Sequence, residues 1–244
     1  MSMGLEVKDM DGSTLSEAVA PPAEGGSSAS GSRYSFSAEV VMISDPKGAR
    51  AEAVRTLRTH IMAQHVVDGR RGLAVCGASA DVGATFTAVN LAVSLAQIGV
   101  KVLLIDGDLR NAQIDSFIRP PQNVLGLRQC LGGRDVDLSE YVQNDVVDNL
   151  SVMFAGGTSA DAQELLASDR FADVVARCLR DYDLTIVDTP PANSCADARR
   201  ISTVTGYSLV VARRHHTFVN DLKALAAQLR EDRAQVVGTV MNEA

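Results

Sequence analysis

Lysine is scarce in this chain of 244 residues, where only Lys8, Lys47, Lys101 and Lys223 occur. A broad basic face is missing as well, with a net charge of −7 and a sequence pI of about 5.1. That balance argues against a nucleic-acid binder, which would need such a face. The four cysteines, Cys76, Cys130, Cys178 and Cys195, form no C-x-x-C pair and sit in apolar or helical surroundings. Buried free thiols in a reducing cytoplasm are therefore expected, and metal ligation by cysteine is not. The apolar runs are short and broken by charges, and the N-terminus lacks a basic, apolar, cleavable leader. Direct membrane insertion is thus not expected, and any membrane role must pass through a partner. What remains is 46% hydrophobic and 22% charged, enough for one domain with a substantial core.

Residues 1–33 carry Pro21-Pro22, Gly25-Gly26-Ser27-Ser28 and Gly31-Ser32, with five acids against two bases and little apolar periodicity, the composition of a disordered tail. The single domain is then 34–244. A helix is expected from Ala49 to about Val67, with Glu52, Arg55 and Arg58 near one face and Val54, Leu57 and Ile61 as an apolar stripe. Strands follow near 73–77, 101–105, 151–155, 184–188, 207–212 and 235–241, separated by helical patterns near 84–98, 111–118, 125–132, 161–181 and 217–231. Such alternation implies an α/β fold, a mostly parallel sheet with helices on both faces. Ligands in these sheets bind beyond the carboxyl ends of the strands, which gathers Asp106, Asp108 and Asp188 on one rim with the Gly-rich segment after 73–77.

That segment, Gly77-Ala78-Ser79-Ala80-Asp81-Val82-Gly83-Ala84-Thr85, has the strand–loop–helix setting of a phosphate-binding P-loop, with alanine where the pattern demands lysine. Backbone N–H groups and a helix N-terminus can still cradle an anion, and Thr85 still offers a hydroxyl to Mg²⁺. The fixed positive charge facing the β- and γ-phosphates is gone. Short patterns of this kind also recur in turns of no consequence. A second reading is the dinucleotide fingerprint of short-chain dehydrogenases, with Asp106 on the ribose. That chemistry needs a Tyr-x-x-x-Lys pair, and Tyr34, Tyr141, Tyr182 and Tyr207 are followed four residues on by Ala38, Asp145, Ile186 and Val211.

A third reading covers more of the chain. Ala51-Glu52-Ala53-Val54-Arg55-Thr56-Leu57-Arg58, the loop ending Gly83-Ala84-Thr85 with Asn90-Leu91-Ala92, Lys101 through Asp106-Gly107-Asp108-Leu109-Arg110, Glu164-Leu165-Leu166 with Ser168, and Tyr182 through Asp188-Thr189-Pro190-Pro191 occur in that order. Together they resemble the bacterial tyrosine kinases, cytoplasmic partners or domains of polysaccharide co-polymerases within the ParA/MinD-like P-loop class. The resemblance runs from about Pro46 to the C-terminus. It implies ATP or ADP with Mg²⁺ as cofactor, with Ser79, Gly83, Ala84 and Thr85 around the phosphates. Asp106 and Asp108 would hold or organise Mg²⁺ and the incoming hydroxyl, and Asp188 would fix a metal-bound water, so that Thr85, Asp106 and Asp188 form the metal set. Helix N-capping is the plainer role for each of these acids. Arg110 would pair with phosphate or with a neighbouring carboxylate. Asn242 would contact adenine or stand as a solvated terminal residue. Glu52, Arg55 and Arg58 match the family's Glu-x-x-Arg-x-x-Arg motif at subunit interfaces, which implies a homo-oligomer or a hetero-oligomer with an active homologue.

The departures fall on catalysis. Lys101 begins a strand that ends five residues later, roughly 16 Å from the rim at ~3.3 Å per residue. Lys8 lies in the tail, Lys223 in a late helix and Lys47 ahead of the Arg55 helix. Ser79 stands where ParA/MinD proteins carry a second lysine, as it does in the kinases. Ser159 to Gln163 replaces the family's proline-rich run, and no tyrosine follows Tyr207 where the kinases carry a tyrosine-rich tail. The expectation is a cytoplasmic subunit, recruited to the inner membrane by a polysaccharide co-polymerase, with weak or no ATP turnover. The rivals are an active kinase that borrows Arg55 or Arg58 of a neighbour, and a ParA/MinD-type positioning ATPase.

Overall fold

Near-continuous apolar runs cannot alternate inside and outside, so the strands of this chain must be covered on both faces. The structure, a computed structural model, describes residues 34–133 and 137–243. The tail expected at 1–33 lies outside them. In chain order the elements are β1 (Ser35–Phe36), α1 (Val41–Ser44), α2 (Ala49–Ile61) continued by a π-helical turn (Met62–Val66), β2 (Gly72–Gly77), α3 (Ala84–Ala96), β3 (Val102–Asp106), α4 (Ile114–Phe117), β4 (Ile118–Arg119) and α5 (Leu127–Gly132). After a 3₁₀ turn (Leu138–Glu140) come β5 (Gln143–Val147), β6 (Leu150–Met153), α6 (Ala162–Ala167), α7 (Asp169–Asp181), β7 (Leu184–Asp188), α8 (Asp197–Thr205), β8 (Tyr207–Arg213), α9 (Val219–Glu231) and β9 (Gln235–Asn242).

Seven strands form one sheet in the order β5-β6-β3-β7-β2-β8-β9, parallel except for β5 at the edge. Strand residues separate by parity. Leu73, Val75, Leu104, Ile186 and Val211 pack against α1, α2 and α3, whereas Ala74, Cys76, Leu103, Ile105 and Val187 pack against α5 to α8. Parallel register carries the strand ends to one rim. Asp106 of β3 lies opposite Asp188 of β7, Val75 opposite the same Asp188, and Gly77 of β2 opposite Val211 of β8.

Several elements differ from the sequence reading, each for a local reason. The helix expected over 161–181 is two helices. Between them Ser168 is extended, its hydroxyl accepts from the Phe171 amide at 3.3 Å, and it starts α7 as an N-cap. The helix expected from 111 starts at Ile114, because the Asp108 and Asp106 carboxylates take the amides of Arg110, Asn111 and Ile114 and hold that segment in a turn. α8 was missed because its buried face includes Ser202 and Thr205, which dilute the apolar stripe. Its stop signal is Gly206 in the left-handed region at φ 78°. β5 was missed because Gln143, Asn144 and Asp145 are polar; it pairs antiparallel at the edge, with Asp145 and Asn149 at positive φ. β1 and β4, which pair antiparallel with each other, were also not anticipated.

Ser168→Ala removes the α7 cap and should cost about 1 kcal/mol. The expected readout is a melting midpoint roughly 2–4 °C lower, and an unchanged midpoint would show that the cap contributes nothing.

Candidate functional site

The loop between β2 and α3 turns on two glycines. A Cβ on Gly77 would sit 2.6 Å from Val82 Cγ2, and one on Gly83, at φ 86°, would sit 2.2 Å from Asn242 Nδ2. Side chains from the ends of β8 and β9 and from the turn after β8 hold the loop from outside. Asn242 Nδ2 donates to the Val82 carbonyl at 3.0 Å, Arg213 Nη1 donates to the Asp81 carbonyl at 3.2 Å, and His216 Nε2 lies 3.3 Å from the Ala80 carbonyl. Three successive carbonyls are thus engaged on the outer side. Among the described residues, the amides of 79–86 donate to no backbone carbonyl. Unspent N–H groups at the start of a 13-residue helix are the requirement for an anion cradle. The cavity at this loop has a volume of about 380 Å³ and is lined by Ser79, Gly83, Ala84, Thr85, Asp108 and Asn242 among others.

The carboxylates lie beneath and beside it. Asp188 is buried, and its Oδ1 has no hydrogen-bond partner. Burial, with a smaller push from Asp108, raises its pKa to about 7, and the hydroxyl of Thr85 draws it back only in part. Burial and then Asp188 raise the pKa of Asp106 well above the usual carboxylate range, although its two oxygens accept the amides of Asp108 and Ile114. Asp108 spends Oδ1 on the amides of Arg110 and Asn111 and itself lines the cavity. Asp106 and Asp108 thus tie down the turn ahead of α4, and one oxygen of Asp188 is left without a partner beside the loop.

Two buried polar atoms test whether a cation and phosphate fit. Asp188 Oδ1 and Ser79 Oγ both lack partners, as groups reserved for a ligand would. No group of three His, Cys, Asp or Glu side chains among the described residues could hold a metal ion alone. Mg²⁺ does not require one, since it commonly takes one or two carboxylates and completes its shell with phosphate and water. Asp188 and Thr85 are the residues best placed for it.

Other residues are directed elsewhere. Arg110 forks onto Asp197, Nε–Oδ2 at 2.7 Å and Nη2–Oδ1 at 3.5 Å, so the neighbouring-carboxylate alternative is the contact formed. Lys101 Nζ donates to the Asp181 carbonyl at the far end of β3. Glu52 and Arg55 pair at 2.9 Å on α2, and Arg55 also donates to the Pro46 carbonyl. Arg58 instead docks α2 on α3, its Nη1 donating at 3.3 Å to both Ser94 O and Ser94 Oγ. Two cavity arginines were missed by sequence reasoning, Arg50 and Arg213. The only signal for the second was its position at the carboxyl end of a buried strand.

The family described as AAA domain matches residues 72–234. The putative tyrosine-protein kinase CapB of Staphylococcus aureus is 29% identical over 198 residues, 81% of this chain and 86% of that protein. Tyrosine-protein kinase wzc of Salmonella typhi is 29% identical over 210 residues, 86% of this chain. The solved kinase domain of Escherichia coli tyrosine kinase ETK superposes with a TM-score of 0.78 at 30% identity, covering 84% of this chain and 80% of that one. This chain belongs to the AAA-domain family, in its bacterial tyrosine-kinase branch. It spans 29% of the length of the wzc relative and 86% of that of CapB. In this chain the loop, the Asp106–Asp188 pair and the Asp188-Thr189-Pro190-Pro191 turn share one rim of the sheet.

Asp188 makes stability depend on pH. Because its folded pKa of about 7 exceeds the ordinary aspartate value of 3.8, the folded state holds the proton more tightly, and stability falls as pH rises from about 4 to about 7 and then levels. Asp188→Asn should flatten that slope and leave the ligand-free protein more stable than wild type at pH 8. Urea titrations across this range check it, and an unchanged slope would show that Asp188 is not held protonated by the fold.

Proposed function

We propose that this chain is a degenerate bacterial tyrosine-kinase-like subunit that supports or regulates the polymerisation and export of an exopolysaccharide or capsule, binding ATP or ADP weakly with weak or no turnover. The observation that carries the reading is Ala84 at the mouth of an otherwise furnished cradle. Phosphoryl transfer depends chiefly on positioning and charge neutralisation, and removing one preorganised donor costs on the order of 10²–10³ in rate. Mg²⁺, when bound with the nucleotide, would neutralise phosphate charge and orient the attacking oxygen. The protein's own part is narrower: amides of the loop bind, Thr85 and Asp188 orient, and Asp106 keeps the Asp108 turn closed.

The membrane partner would be a polysaccharide co-polymerase, and the assembly a homo-oligomer or a hetero-oligomer with an active homologue. Relatives named CapB, wzc and a putative tyrosine-protein kinase in the cps region of Klebsiella pneumoniae support the capsule setting. Among the described residues no helix is long and apolar enough to cross a membrane. The acidic balance and absence of a basic face weigh against nucleic acid. Asn242 would meet the adenine from the loop it already braces.

Ala84→Lys should tighten MgATP binding about ten-fold and raise hydrolysis by roughly 10²-fold, and Asp106→Asn should cancel the gain in turnover. Calorimetry and a phosphate-release assay decide it. If the lysine changes neither, the defect extends beyond one missing charge.

For assembly, α2 divides its arginines. Arg55→Glu should abolish self-association or capture by the co-polymerase's cytoplasmic end without shifting the melting midpoint, whereas Arg58→Glu should lower the midpoint because it undocks α2 from α3. Light scattering with thermal melts tests the split, and unchanged mass in Arg55→Glu would assign that face to solvent.

A further inference from the structure

The missing lysine leaves a concrete question: which cation among the described residues faces the phosphate cradle. Lys47, Lys101 and Lys223 do not line the cavity; Arg50 and Arg213 do. Arg50 is already spoken for. Its Nη2 lies 2.6 Å from Glu39 Oε2, and its guanidinium stacks 4.5 Å from the centre of the Phe86 ring. Arg213 differs, for among the described residues it enters no salt bridge, and its guanidinium makes a single hydrogen bond, to the Asp81 carbonyl, while its backbone N–H and C=O are tied to the turn at 216–217.

Register explains why it points there. Val211 lies opposite Gly77 across the parallel β2–β8 pair and packs on the α3 side of the sheet. Residues two apart on a strand share a face, so Arg213, at the very end of β8, is carried past the strand end on the side where α3 begins. Its partner in β9 is Asn242, which grips the next carbonyl of the same loop. A guanidinium has five N–H donors in a planar fork suited to phosphate oxygens. One is spent on Asp81, and Arg213 is among the residues that line the cavity.

We propose that Arg213 supplies the positive charge that Ala84 omits, binding the terminal phosphates of a nucleoside di- or triphosphate from the end of β8 instead of from within the loop. The proposal rests on the nucleotide-binding reading above and adds the residue responsible. It explains how a cradle without its lysine keeps electrostatic selectivity for phosphate beside Asp108 and Asp188, two acids that would otherwise repel the ligand. The charge is delivered from a strand end, so it favours binding more than the positioned transfer that a lysine within the loop serves.

The test is a calorimetric titration of MgATP, and of adenosine as the phosphate-free control, into wild type, Arg213→Gln, Arg213→Lys, Ala84→Lys and the double variant Ala84→Lys with Arg213→Gln, with a thermal melt on each. Arg213→Gln should weaken MgATP about ten-fold or more, as loss of a charge-assisted pair does. It should leave adenosine unchanged, and Arg213→Lys should restore most of the loss. The double variant should bind MgATP nearly as tightly as Ala84→Lys alone, because the lysine makes the arginine's charge redundant. If Arg213→Gln does not fold, Arg213→Met, which keeps the aliphatic stem, carries the same comparison. Wild-type affinity in Arg213→Gln would overturn the role of Arg213 and leave nucleotide binding standing. An equal loss in the Ala84→Lys background would mean that Arg213 only braces the loop through Asp81, which also overturns it. No uptake of MgATP by wild type would remove both this proposal and the nucleotide reading.

Discussion

The in-register pairing of Asp106 and Asp188 across β3 and β7 is the constraint on which the site depends. Adjacent parallel strands lie about 4.8 Å apart, so two buried carboxylates are brought side by side at the strand ends. Burial then holds both above the usual carboxylate range, with a further push on Asp106 from Asp188 and a smaller one on Asp188 from Asp108. Such an arrangement persists only where other parts compensate. Backbone amides satisfy Asp106, the Thr85 hydroxyl meets Asp188, and one oxygen of Asp188 is left without a partner. A pair shifted this far is typical of a functional site. Here it remains although the lysine that would complete the charge balance does not.

Much of the fold was legible because its strands are unusual only in being ordinary buried parallel strands. Val102 to Ile105 and Leu184 to Val187 are apolar without interruption, and each ends in an aspartate at the rim. Where the reading failed, side chains made bonds that periodicity does not register. Ser168 interrupts a helical pattern by capping the next helix, and Asp108 holds a turn where a helix was expected. α8 hides two hydroxyl residues on its inner face, and Thr205 satisfies its hydroxyl on the Ile201 carbonyl of its own helix. The edge strand β5 pairs on one side only, so its polar residues face no penalty that a pattern would reveal.

The site was legible in outline but not in its connections. Gly83, Thr85, Asp106, Asp108 and Asp188 could be placed on one rim from the alternation of strands and helices alone. The partner of Arg110 could not, because Asp197 belongs to a helix the pattern concealed. Nor could the division of labour on α2, where Arg55 pairs with Glu52 on the surface and Arg58 reaches across to α3. Arg213 was invisible for a different reason: its significance depends on strand order, with β8 beside β2, and strand order is not written in local sequence.

Everything proposed for this chain turns on the loop after β2 serving as a phosphate cradle with Ala84 where the pattern demands lysine. The most direct measurement is backbone amide NMR of the wild-type protein titrated with MgADP at millimolar concentration, with MgCl₂ alone as reference. Saturable shifts are expected at the amides of 79–86, whose N–H groups make no backbone hydrogen bonds among the described residues, with smaller shifts near Asp188 and Arg213. A spectrum that MgADP leaves unchanged, or shifts confined to residues away from this loop, would contradict it.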